Sequence, residues 1–464
     1  MCAPMKKRSC AFLLALCLLL TACGCDSGAG AEPTPSPVES ATPETEPTPE
    51  PTPELSQREQ DWREDFAYLK ETLVEVHPDP FWCCSEEDFD WKIEHLASRV
   101  SGLTDNEIFF ELMQILAGLR DNHLGFDYPA LLPFEVIPIE VRYFDGHLYM
   151  CGYYPGYDQL APYLLQEIVA VNGIDITYIF QKLSTLSDLN DWSGRERFPS
   201  FLIMPAFLDM AGCGYRDGYT FQFLNENREV VSVEMPVLSE DEYKTAQARN
   251  IGRLVRPENW DSLPYLKKER RAEYIAGENG SCVYMSVGEE LQDRGYLYSK
   301  LMREAEEIAR SHEDCSKLVI DLRPCPGGDW TGIEQAQEKI PELLEPGIEQ
   351  VYVLTNGYTA SASMTALALF RDELGAVIVG EPTGQFSSLF AFGTWPSKYT
   401  LPNSQITINI ADMQYTGPEI REVQYDENGK LYEWENTILP DVYVPQDIED
   451  IRRERQWRIF RVRV

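Results

Sequence analysis

Thr359-Ala-Ser361-Ala-Ser363-Met364, continued by Thr365-Ala-Leu-Ala-Leu-Phe370 and followed by Gly380-Glu-Pro-Thr383, decides the reading of this chain. Before it, Val351-Tyr-Val-Leu354 is an apolar, strand-like run closed by Asn356-Gly357. After it, Thr365–Phe370 is a good helix former, and Gly375-Ala-Val-Ile-Val379 is a second buried strand. Ser361 therefore stands between a strand and a helix, where the first-turn N–H groups lack intrahelical partners and favour negative charge. Two roles fit that place. Serine is a common helix N-cap; it is also a nucleophile whose neighbouring N–H groups stabilise an oxyanion.

A second loop bears on the choice. Lys317-Leu-Val-Ile-Asp321-Leu322-Arg323 reads as a buried strand and runs into Pro324-Cys325-Pro326-Gly327-Gly328-Asp329. Paired glycines after a strand let the backbone approach a ligand closely. Asp321-Leu-Arg-Pro-Cys325-Pro-Gly-Gly328, Thr359-Ala-Ser361-Ala-Ser363 and Gly380-Glu-Pro-Thr383 occur in this order. Together they resemble the tail-specific, or C-terminal-processing, serine peptidase family with its tricorn-like and retinoid-binding-protein-like relatives. The resemblance reaches back to Asp121-Asn122-His123, where the family has Asp-Gly-His, and forward to Leu439-Pro440-Asp441-Val442. It spans about Phe66 to Ile451. Cys325 stands where the family usually has asparagine, and Asn122 where it has glycine.

The resemblance implies an α/β fold: a ClpP- or crotonase-like catalytic core with an N-terminal helical module and a PDZ-like β insert. It implies Ser361 as nucleophile, with Ser363 as its rival. It further implies an oxyanion hole from the N–H of Ala362 and one from Gly327 or Gly328. Many members use a lysine about two dozen residues after the serine, which here falls near Phe386; no lysine lies between Ser361 and Lys398. The tricorn-like branch uses histidine and glutamate instead. That pattern points to His123 as the base and Glu435, with Glu433 as competitor, as the acidic partner. A serine hydroxyl needs such a base, and the base needs an orienting group. The substrate implied is a polypeptide, and neither cofactor nor metal is called for. The alternative is an inactive relative that binds peptide or an apolar ligand in the same groove.

The chain opens with Lys6-Lys-Arg8 and an apolar run from Cys10 to Leu20, too short for a comfortable membrane span and fitting a signal h-region. It ends in Leu20-Thr-Ala-Cys23, which resembles the bacterial lipoprotein box, so residues 1–23 read as a signal and Cys23 as a lipid attachment site at a membrane outer face. Residues 24–57, with Glu46-Pro-Thr-Pro-Glu50-Pro-Thr-Pro-Glu54, cannot bury a core and read as an extended spacer. The formal net charge of −36, from 76 acidic and 40 basic residues, argues against nucleic acid and against dense contact with anionic lipid. The cysteines show no zinc-ligand spacing, and Cys282, in an apolar run, is expected to be a free buried thiol.

Trp62, Phe66, Leu69, Leu73 and Val76 keep helical spacing up to His77-Pro78, and Thr104-Asp-Asn-Glu107 is a capping box opening a helix from Ile108 to Leu119. Residues 58–125 thus form a helical module delivering His123 at its exit. Residues 130–240 read as short strands, with Ile168-Val-Ala-Val-Asn-Gly173-Ile-Asp-Ile176 as a hairpin like that of a PDZ domain. Leu238 to Gly277 reads as a linker with some helix. Strand–helix alternation over 278–450 predicts a mainly parallel sheet covered by helices, with late strands between Tyr399 and Tyr415.

Overall fold

The computed structural model describes residues 55–129, 131–187, 191–214, 218–250, 254–258, 260, 264–267, 269–277, 280–288, 296–329, 337–385, 388–393, 397–416 and 438–452. Cys23, the spacer up to Glu54, Glu433 and Glu435 lie outside these residues.

Three helices open the described chain: α1 (Gln57–Val76), α2 (Glu86–Ala97) and α3 (Asp105–Ala117). Ser56 with Glu59, and Thr104 with Glu107, form reciprocal capping boxes. The second of these is the one the sequence predicts. The apolar stripe Trp62, Phe66, Leu69, Leu73 is buried as its spacing requires, and α1 ends at Val76, just before His77-Pro78. The α2 helix, capped by Ser85, was not expected.

A short strand, β1 (Gly125–Phe126), follows α3. Then comes an antiparallel sheet of β2 (Ile139–Phe144), β3 (His147–Tyr153), β4 (Glu167–Val171), β5 (Tyr219–Leu224) and β6 (Val230–Met235), in that spatial order. The expected hairpin is present: Val171 and Ala170 pair with Ile174 and Asp175 around Asn172-Gly173, both at positive φ. The reading of the whole region as strands needs correction. Three helices lie between β4 and β5: α4 (Ile176–Leu183), α5 (Asp191–Leu202) and α6 (Pro205–Met210). The Asp175 side chain caps α4 at Thr177 N, and Pro205 starts α6 at a position where proline is preorganised.

The segment read as a linker before the core also needs correction. After α7 (Glu240–Asn250), β7 (Arg270–Ile275) pairs antiparallel with β8 (Ser281–Val287) and becomes the edge of the central sheet. The sheet continues, after α8 (Tyr296–Arg310), through β9 (Cys315–Asp321), β10 (Gln350–Thr355) and, after α9 (Ala362–Leu374), β11 (Val377–Gly380), all parallel as the alternation predicts. Val283, Met285, Leu318, Ile320, Val353 and Ile378 are buried on one face against α8 and α9. Cys282, Tyr284, Val319 and Leu354 are buried on the other. A parallel sheet covered on both sides reads as continuous apolar runs for this reason. The seven described cysteines are free thiols, Cys282 among them.

The late strands β12 (Lys398–Thr400) and β13 (Thr407–Asn409) return to the helices, and β13 pairs with β1. The buried Asp65 of α1 accepts from Asn403 N and Ser404 N, both at 2.8 Å, which ties the turn between them to the first helix. The last described strand, β14 (Val442–Tyr443), lies parallel beside β11, and Asp441 Oδ2 accepts from Ile378 N at 2.9 Å.

At the end of β9 a buried polar cluster fixes the chain entering the glycine loop. Asp321 accepts from Arg323 Nε (2.9 Å), Arg323 Nη2 (2.6 Å) and Tyr284 Oη (2.6 Å), and the guanidinium lies 4.2 Å from the centre of the Tyr265 ring. Asp321 is fully buried. Arg323→Leu leaves that carboxylate without its cation, so unfolding in urea is expected to show a loss of about 3 kcal/mol.

Candidate active site

Ser361 occupies the N-cap position of α9, yet its side chain makes no capping hydrogen bond. Its backbone sits at φ 50°, ψ −129°, a conformation that non-glycine residues adopt only under constraint, at about 1–3 kcal/mol. The hydroxyl turns instead toward His123, whose Nε2 lies 3.2 Å from Ser361 Oγ across 238 residues of sequence. Of the two roles open to Ser361, the geometry excludes the cap.

Three contacts hold the serine in this conformation. Gly327 lies directly behind it: a Cβ on Gly327 would come within 2.5 Å of Ser361 Cβ, and its φ of 125° disfavours any side chain. Gln385 Oε1 accepts from Ser361 N. Ser363, the rival nucleophile, is fully buried and donates to the carbonyl of Cys325 at 3.0 Å, tying α9 to the glycine loop. Thr359 completes the frame: its hydroxyl donates to Leu322 O at 3.2 Å and its carbonyl accepts from Gly384 N at 3.0 Å.

Gly328, also at positive φ (134°), and Ala362 both line the cleft beside Ser361. Ala362 is the first residue of α9, so its N–H has no intrahelical acceptor. The expected oxyanion residues are therefore brought to the serine, with Gly327 packing behind it and Gly328 facing the cleft.

His123 follows the exit of α3 and is fixed by Asp121, which is buried. Asp121 Oδ1 accepts from His123 N at 2.8 Å and lies 3.9 Å from His123 Nδ1. Its other oxygen lies 3.2 Å from Nε2 of the buried His77. His77 Nδ1 accepts from Asp79 N at 3.1 Å, which leaves Nε2 to donate to Asp121. The ring of Phe392 meets His123 edge-on at 5.2 Å. Burial, as the largest cause, pushes the His123 pKa below its ordinary value; Asp121 opposes that shift and Arg197 adds to it. Burial thus favours the neutral imidazole, the form that accepts a proton.

Glu435 cannot be placed, since it lies outside the described residues. Among those described, Asp121 is the carboxylate recorded near His123. Lys398 is engaged elsewhere, 2.7 Å from Asp127. Gln385, buried, lies next to Phe386, the position that the serine–lysine pattern would give to a lysine: besides binding Ser361 N, its Nε2 lies 3.4 Å from His123 Nδ1. Asp121, His77 and Gln385 were not assigned roles from sequence. The one available signal for Gln385 was its place two residues after Gly380-Glu-Pro-Thr383. Among the described residues no group of histidine, cysteine or carboxylate side chains is arranged to hold a metal.

The chain shares the fold of mature CPAF: the crystal structure superposes with a TM-score of 0.56 at 14% identity, covering 86% of this chain and 95% of that one. The complex of mature CPAF with lactacystin gives 0.55 at 13% identity over 86% and 96%. A CPAF S499A mutant gives 0.56 at 13% identity over 86% and 95%. No family model matches the chain, and no curated protein matches it in sequence. The α/β fold expected from the sequence is thus present, at an identity where likeness speaks to the fold alone.

Gly327→Ala tests how the serine is held. The added methyl is expected to displace Ser361, break its contact with His123 and cost about 1–3 kcal/mol of stability. A crystal structure of the variant and its denaturation midpoint check both effects.

Proposed function

We propose that this chain is a serine-type peptidase of the tail-specific kind, in the branch that uses histidine as base, and that it cuts polypeptides. The observation that carries this is the 3.2 Å approach of His123 Nε2 to the hydroxyl of a serine that does not cap its own helix. In this reading His123 removes the Ser361 proton as the oxygen attacks a peptide carbonyl, and returns it to the departing amine. The N–H groups of Ala362 and Gly328 receive the developing oxyanion, where each donor is worth roughly 3 kcal/mol. Asp121 stabilises the transient imidazolium and keeps the ring in place, while Gln385 holds the serine backbone. Glu435 remains the acidic partner implied by the family pattern, and Glu435→Gln is expected to cost less than loss of serine or histidine.

Ser361→Ala and His123→Ala should each lower turnover of casein or a peptide substrate by roughly four orders of magnitude, with the far-UV spectrum unchanged. The pH profile gives an independent check. The reactive form is neutral His123, so kcat/KM should rise through a pKa below that of ordinary histidine. Asp121→Asn removes the charge that favours imidazolium, so the rising limb should move to still lower pH, with reduced kcat. Full activity in His123→Ala would contradict the assignment and direct attention to Lys398.

The reading extends to location. Cys23 at the end of a Leu-Thr-Ala-Cys box supports a lipid-anchored, extracytoplasmic protein whose body is joined to that anchor by residues 24–54, since Ser56 and Gln57 already belong to the start of α1. Among the described residues no helix is long and apolar enough to cross a membrane. Cys23→Ser should move the protein to the soluble fraction or leave its signal uncleaved; unchanged fractionation and migration would contradict the anchor.

A further inference from the structure

The cleft holding Ser361 and His123 encloses about 1020 Å³ and runs from the glycine loop to apolar side chains of α3, α5 and α6. At that end Phe109, Leu116 and Phe207 are buried, while Met113, Phe201 and Met204 are partly exposed into the space. Phe201 and Phe207 stack with ring centres 4.7 Å apart, which gives one wall a fixed shape. The methionines supply adaptable apolar surface. These residues come from helices outside the sheet that carries Ser361, and the cavity is continuous from them to the nucleophile. A ligand aligned on Ser361 therefore lies in the same cleft as these apolar side chains.

We propose that this apolar end of the cleft is a side-chain subsite selecting peptides with a bulky apolar residue, aromatic or leucine-like, next to the bond that is cut. The proposal rests on the peptidase reading and adds a substrate class to it. A small side chain would leave apolar walls facing trapped water, and a charged one would lose its hydration against these six apolar side chains; Arg197 and Asp127 line the same cleft, so an Asp peptide tests whether a charge there is accepted instead. An aromatic ring or isobutyl group would remove apolar surface from water on both sides.

Gly125 gives a direct probe. It lines the cleft on β1, and a Cβ built on it meets nothing within 4 Å, so a side chain there would extend into open space. Purified full-length protein is assayed on peptides that differ only in the residues flanking the cleaved bond: Phe, Leu, Ala or Asp. The wild type is expected to prefer Phe or Leu over Ala at one position by roughly tenfold or more in kcat/KM. Gly125→Leu should bring that ratio toward one. Met113→Gln, which keeps the volume and the helix but adds an amide, should lower it as well and covers the case in which the first variant folds poorly. Indifference of the wild type to this side chain, or an unchanged ratio in both variants, would overturn the subsite while leaving the peptidase reading intact. Failure of the wild type to cut any peptide or casein would overturn the peptidase reading and the subsite together.

Discussion

The site depends on how Ser361 is held. A non-glycine residue at φ 50° and ψ −129° is unstable on its own, and it persists because three separate strand ends converge on it. The loop after β9 brings Gly327 against its Cβ, the loop after β11 brings Gln385 to its N–H, and the loop after β10 carries the serine itself. The parallel register of β9, β10 and β11 sets the spacing of those loops. Ligand sites at the carboxyl ends of parallel strands follow from this topology, since that is where the connecting loops meet. The buried Asp321–Arg323 pair fixes the first loop, and the Ser363 hydroxyl locks it to α9.

His123 arrives from a different part of the chain, and its position rests on the helical layer. Asp65 joins α1 to the turn before β13, and β13 pairs with β1 two residues after the histidine. Asp121, held between His77 and the His123 backbone, sets where the ring begins. Burial and Asp121 act in opposite directions on the imidazole, and burial dominates. In the proposed mechanism, a histidine whose neutral form is favoured by burial and whose charged form has a carboxylate nearby suits proton transfer.

Much of this was readable from the sequence where the signal is local. The strand–serine–helix order, the paired glycines and the capping box at Thr104 are short patterns with one physical meaning each, and the parallel strands are apolar runs of ordinary length. What the sequence withheld depends on contacts between distant residues. Gln385, Asp121 and His77 gain their roles only when three loops meet. The edge strand Arg270–Ile275 was read as linker because its side chains are all half-buried and largely polar, as an edge permits. Helices α4 to α6 were hidden by reading aromatic and β-branched residues as strand formers, although tertiary packing overrides that preference. Ser363 and Ser361 could be ranked from the motif alone, but only the hydrogen bond from Ser363 to Cys325 removes the first from contention.

The central claim is that His123 activates Ser361. Labelling with a fluorophosphonate, followed by peptide mapping, tests it most directly because it needs no substrate. The account predicts a single adduct on Ser361 whose rate of formation rises with pH through a pKa below that of ordinary histidine and collapses in His123→Ala. An adduct on Ser363, no adduct on the folded wild type, or an equal labelling rate in His123→Ala would contradict it.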